Sequence, residues 1–244
     1  MLPCFTHGAI AQITLSSGMD YSLGKYGSMR NTSTLTLPVV AKYESEAWVA
    51  KVSWPYLRIN NVNINARGES LPCGAALSTP KDVSGMGDLV AGVSTNLFQG
   101  NGYLVDVGGK IKFATGDTKK CLSTGKNDYS LQIELAKQIG PFTVSGTGGW
   151  TRKGDPLFMG VATNYRNPFF YTLGAHYRIS SELAIGASFD YRQRLTSIGD
   201  PISELTMFST LKQSPSFKLQ SYVLTGFSNA SADHGAGIVA IVGF

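Results

Sequence analysis

The sequence predicts an all-β fold, a transmembrane antiparallel β-barrel of about twelve strands. Three observations predict it. Apolar residues recur at alternate positions with turns between them, the connections alternate between short and long, and aromatic side chains gather at the ends of the predicted strands. No stretch approaches the roughly 20 consecutive apolar residues of a membrane-spanning helix. Charged residues make up 15% of the 244, below the roughly 25% typical of soluble domains. The net charge of +5 is carried by Lys and Arg that are scattered and interleaved with acids. Without a basic helix or an Arg-rich run, nucleic acid is not expected as a partner.

Residues 1–11 read as the tail of an export signal, with Gly8-Ala9-Ile10-Ala11 ahead of Gln12 forming an A-x-A-like cleavage site. A single barrel domain, 12–244, follows. Strands are predicted near 13–23, 32–44, 46–58, 86–97, 102–114, 127–138, 141–152, 167–178, 182–193, 202–212, 216–227 and 235–244. The alternation is clearest where Tyr129, Leu131, Ile133 and Leu135 share one face and Asp128, Ser130, Gln132 and Glu134 the other. Tyr103, Val105, Val107, Ile111 and Phe113 alternate likewise with Asp106, Lys110 and Lys112, and Leu183 to Tyr191 with Ser188, Asp190 and Arg192. A face carrying Lys or Asp in mid-strand cannot meet hydrocarbon, so it lines an interior or meets water.

Short turns are predicted at Ser45, Gln99-Gly100-Asn101, Ile139-Gly140, Ser180-Ser181 and Ser214-Pro215, and long connections at 59–85, 115–126 and 153–166. Outer-membrane barrels have short periplasmic turns and long outer loops, whereas a soluble sandwich has no reason to sort loops by end. Tyr43, Trp48, Tyr103, Phe142, Tyr177 and Phe217 flank the short turns. Tyr21, Trp54, Phe113, Tyr129, Trp150, Phe169, Tyr191 and Phe227 lie toward the other strand ends. Two such belts suit the headgroup levels of a bilayer. The last strand ends on Phe244, which resembles the terminal aromatic signal read by the barrel assembly machinery.

The segments SGMGDLVAGVS (84–94), KIKFATGD (110–117), TGKNDYSLQIEL (124–135), LGAHYRISSELAIGASFDYR (173–192) and LQSYVLTGFSNASADHGAGI (219–238) resemble a family of outer-membrane transporters. That family is named for the meta-pathway of phenol degradation. The resemblance implies a barrel in the bacterial outer membrane and a role near aromatic-compound catabolism, and it carries no active-site motif.

The candidate lumen-lining residues form two sets. Asp106, Lys110 and Lys112 lie beside Asp128, Gln132 and Glu134, and Asp190 and Arg192 pair with Glu204 near His176 and Arg178. Opposite charges facing one another across strands make either a satisfied plug or a wet passage whose charges select solutes. Of the histidines, His7 goes with the leader and His176 projects inward; Asp233 and His234 are neighbours that could orient each other as base and orienter. No nucleophile motif accompanies them, no Cys/His metal spacing or phosphate loop occurs, and neither catalysis nor a cofactor is expected. Asn60, Asn61, Asn63, Asn65 and Arg67 give the 59–85 loop a polar surface suited to a glycan. Cys4 falls in the leader, so Cys73 and Cys121, both in long connections on one side, form the candidate disulfide.

These features predict a monomeric, passive outer-membrane channel whose partners are outer-membrane lipids, the assembly machinery and a small-molecule solute. The solute is either apolar or aromatic, as the resemblance implies, or small and hydrophilic. A surface receptor or adhesin barrel, or an outer-membrane enzyme, is the alternative.

Overall fold

The computed structural model describes residues 12–62, 82–158, 161–162, 164–197 and 199–244. The alternating segments form β1 (Gln12–Gly24), β2 (Thr32–Glu44), β3 (Trp48–Asn60), β4 (Val83–Met86), β5 (Leu89–Gly100) and β6 (Tyr103–Phe113). They continue as β7 (Asp128–Ile139), β8 (Phe142–Arg152), β9 (Leu157–Phe158), β10 (Val161–Ala162) and β11 (Phe169–Arg178). The last four are β12 (Leu183–Arg192), β13 (Ile202–Lys212), β14 (Phe217–Gly226) and β15 (His234–Gly243).

β9 and β10 pair only with each other, and β4 and β5 both pair with β3 as two pieces of one stave. The remainder is an antiparallel meander of twelve staves, closed by β1 on β15 from Thr14–Gly243 to Leu23–His234. Closure leaves no unpaired edge, which a bilayer would not tolerate.

The outward face is apolar and exposed: Leu131 is 65% accessible, Leu173 57% and Val223 56%. Hydrocarbon, not water, suits such a belt. Buried apolar residues form only two small clusters among the described residues, Tyr26 with Ala232 and Ile59 with Val83 and Leu122. Both sit at the end of the barrel that carries the long connections. Among the described residues the wall is held by strand pairing, with no packed core behind it.

The connections at one end span only 45–47, 101–102, 140–141, 179–182 and 213–216; those at the other span 25–31, 61–82, 114–127, 153–168, 193–201 and 227–233. We call these ends inner and outer. Two inner turns follow directly from residue chemistry. Asn101 (φ 51°) and Gly102 (φ 76°) both occupy left-handed backbone, as a two-residue I′ hairpin requires, and Gly140 (φ 59°) ahead of Pro141 supplies the positive φ of a II′ turn.

The structure differs from the sequence reading in the fourth stave. The predicted strand 86–97 is interrupted at Gly87-Asp88 and extends to Gly100, with a bulge between Asn96 and Phe98. The bulge puts Leu97 and Phe98, consecutive and apolar, both outward (61% and 52% accessible), so strict alternation stops there. It also moves the turn from the expected 99–101 to Asn101-Gly102, the pair that tolerates positive φ. Trp54, expected near the outer belt, lies in the middle of β3, where its indole N–H donates to the Gly87 carbonyl (3.1 Å) freed by the break.

Candidate functional site: the barrel interior

Residues that pair across neighbouring strands share a face, so the register sorts the charged residues into rows. One row runs Thr14–Lys42–Lys51–Gly92–Lys110–Ser130–Thr151 from β1 to β8. A second runs Asn96–Asp106–Glu134–Thr147–Thr172–Asp190–Glu204 from β5 to β13. Neighbouring strands are staggered, so both rows climb the wall. The basic row starts beside the inner turn of β2 and ends at the outer ends of β6 and β8; the acidic row starts near the inner end of β6 and ends near the outer end of β13. Between them lies Gly108–Gln132–Gly149–Phe170–Arg192.

The rows differ in how far their charges are satisfied. Asp106 accepts from Asn96 Nδ2 (2.8 Å), Asp190 from Thr172 Oγ1 (2.6 Å), and Glu204 from the Ala232 amide (3.0 Å). Lys42 pairs with Glu44 at 2.7 Å. Among the described residues Lys51, Lys110 and Glu134 have no ion pair or hydrogen bond. Lys110 instead stands over the Phe170 ring, 5.0 Å from its centroid, and is close enough to Lys51 and Arg192 to be repelled by both. Lys51 and Lys110 share the face opposite the apolar belt and are reached by solvent. His176 and Arg178 lie outside both rows near the inner end of β11, and His176 Nδ1 is buried with no partner.

Lys112 and Asp128, which the sequence reading grouped with Lys110 and Glu134, belong to a different arrangement at the outer rim. Lys112 Nζ lies 2.6 Å from Asp88 and 3.4 Å from Asp128, and Asp128 lies 2.8 Å from Lys153. Asp88 Oδ1 also accepts from the Gly116 amide and Asp128 Oδ1 from the Gly154 amide, so this chain of four charges ties two outer loops to the wall. Sequence reasoning missed Asp88 and Lys153 because both fall in connections. It missed Lys42 and Lys51 because apolar residues such as Val40 and Val49 also face inward on β2 and β3 and blur the alternation.

The outer loops fold toward the mouth. Leu122 packs on Ile59 and Val83, Lys120 Nζ reaches the Ser84 carbonyl (3.4 Å), and Asp117 caps the 3-10 turn Thr118–Lys120. Cys121 is disulfide-bonded, to a partner outside the described residues. Ser231, 1% accessible, hydrogen-bonds the Ser203 amide and carbonyl, pinning the 227–233 loop to β13. Residues 1–11 with Cys4 and His7, and Asn63, Asn65, Arg67 and Cys73, lie outside the described residues. Asn60 donates to Ser33 Oγ, and Asn61 bridges to Asn31 and Asp82.

The Asp233 carboxylate accepts from the Lys25 amide (3.2 Å), and no hydrogen bond joins it to His234. No group of His, Cys, Asp and Glu among the described residues could hold a metal ion. Phe244, 72% accessible, donates its amide to the Ile13 carbonyl, tying the last residue to the first strand.

No family model and no curated protein matches the sequence. Solved structures do match in fold. An outer membrane channel from Pseudomonas putida F1 aligns with a TM-score of 0.73 at 12% identity, covering 98% of this chain and 97% of that one. The NanC porin aligns at 0.61 with 10% identity over 93% and 98% of the two chains, and the KdgM porin at 0.59 with 9% identity over 95% and 99%. At these identities the likeness shows a shared barrel fold.

Proposed function

We propose that the chain is a bacterial outer-membrane channel through which small hydrophilic solutes diffuse passively. The observation that carries this reading is the inward face: charged rows run from one mouth to the other with Lys51 and Lys110 reached by solvent, inside a barrel whose outward face is apolar. The fold shared with an outer membrane channel and two porins supports it. The resemblance to transporters named for phenol degradation suggested an apolar or aromatic solute. Such a solute would have to leave water for a wall in which Val40, Val49 and Phe170 are interleaved with carboxylates, ammoniums and hydroxyls; the charged interior favours a polar one.

Single-channel recording of the refolded protein, with liposome swelling on small sugars, tests the reading. Stepwise conductance and swelling support it; a silent bilayer and no swelling overturn it. In an open channel, replacing Lys51 and Lys110 together with Gln removes two unpaired positive charges, and the reversal potential in a salt gradient shifts toward cation preference. Lys112→Gln also shifts it toward cations, because it uncovers carboxylate charge on Asp88 and Asp128 at the outer rim.

A further inference from the structure

Among the described residues three interior charges, Lys51, Lys110 and Glu134, make no ion pair, and the register keeps Lys110 and Glu134 apart. On β6, Lys110 stands four residues from Asp106, and on β7 Glu134 stands four residues from Ser130, the cross-strand partner of Lys110. Four residues of strand are about 13 Å, too far for Lys110 and Glu134 to pair. The row between them is largely bare on these strands. Gly108 carries no side chain, and the Phe170 ring overlies Gly149, so between the positive and negative edges this stretch of wall carries the uncharged Gln132 and Phe170.

Two edges of opposite sign, separated by uncharged residues and carrying Lys51, Lys110 and Glu134 without ion pairs among the described residues, act on a solute in a definite way. A net anion is drawn to Lys51 and Lys110 but repelled by Glu134 and Asp106, and a net cation meets the reverse. A solute carrying both charges gains at both edges when its dipole lies along the strand direction. The rows climb together along β5 to β8, so that orientation can be kept while the solute moves from row to row. Pairing a carboxylate with Lys110 and an ammonium with Glu134 satisfies groups that the fold leaves unpaired.

We propose that the preferred solutes of this channel are small zwitterions carrying a carboxylate and an ammonium, oriented by Lys51 and Lys110 on one side and Glu134 on the other. This deepens the channel reading and rests on it. The test compares 4-aminobutyrate with 4-hydroxybutyramide, two electroneutral solutes of similar size, by swelling of liposomes containing the full chain. The native protein is expected to admit the zwitterion at least threefold faster. Lys110→Gln and Glu134→Gln should each bring the ratio to about one. The native ratio needs no variant, so a misfolded mutant does not remove the test. Equal or slower entry of the zwitterion through a channel that admits the amide overturns the inference and leaves the channel reading standing. Entry of neither solute overturns both.

Discussion

Replacing Asp128 with Asn should cost the protein several kcal/mol, almost all of it electrostatic. Asp128 is 6% accessible at its side chain and faces Lys153 at 2.8 Å, itself 5% accessible, and Lys112 at 3.4 Å. At an effective dielectric near 20 these pairs are worth about 6 and about 5 kcal/mol of gross attraction. The carboxamide keeps the shape, but with its oxygen on the Gly154 amide its NH2 faces Lys153 and Lys112, so the change removes the charge and both acceptor contacts at Oδ2. Lys112 retains Asp88 at 2.6 Å, which leaves the Lys153 ammonium to bear most of the loss. Breaking one side of a buried pair costs about 3–5 kcal/mol once desolvation is counted, and that is the expected loss. Urea unfolding of the refolded protein in detergent, followed by the gel shift between boiled and unboiled samples, measures it. Lys153→Met in the Asp128→Asn background should recover part of the loss, because the ammonium that lost its 2.8 Å carboxylate is gone. An unfolding midpoint unchanged by Asp128→Asn would refute the reasoning and show that the outer-rim charges are solvated.

Gly237→Ala should destabilise by about 1–3 kcal/mol, because its methyl group would sit 2.4–2.6 Å from the Tyr222 ring and push that hydroxyl off Asp20; a Tyr222→Leu background should remove the penalty in the same unfolding assay. Cys121 is expected to pair with Cys73, tethering the 61–82 connection to the 114–127 loop. The bridge should be worth about 4 kcal/mol in the chain-entropy model; peptide mapping without reduction checks it, and a Cys4–Cys121 peptide would refute it. Hydrogen bonds from Ser181 and Ser180 hold the Glu182 carboxyl, in an inner turn, below the usual carboxylate range. A depressed folded value means that its contribution is present above the unfolded value and lost as pH falls through the folded one. The stability difference between native and Glu182→Gln protein should therefore narrow on acidification, and a difference constant from neutral pH down to pH 3 would contradict this.

Most of the barrel was legible because period two is a strong signal wherever one face meets hydrocarbon. Leu131, Ile133 and Leu135 against Gln132 and Glu134 admit one reading. Legibility failed where a local device breaks the period. The bulge at Leu97-Phe98 and the break at Gly87-Asp88 are defined by pairing with β6 and β3, and a single strand's sequence does not contain that pairing. The interior was half legible for the same reason. Facing the right way could be read from alternation, which found Lys110, Glu134 and Asp190. Being satisfied or unsatisfied depends on what another strand or loop brings, and so the sequence did not separate Lys112, neutralised by Asp88 from a connection, from Lys110, which makes no ion pair among the described residues.

The charged rows also bear on how the barrel reaches one register during insertion. A slip of one residue between β6 and β7 would exchange faces, turning Lys110, Lys112 and Asp106 into the lipid and Val105, Val107 and Ile111 into the aqueous interior. Each lysine so displaced costs about 2–4 kcal/mol near the bilayer midplane and less toward the interfaces. A slip of two keeps the faces but offsets Asp106 and Glu134 from their row, and it pulls Lys112 away from Asp128 and the loop that Asp128 anchors. Mispaired hairpins are thus penalised by membrane and mouth alike, so the charges that line the finished barrel's interior also proofread its assembly.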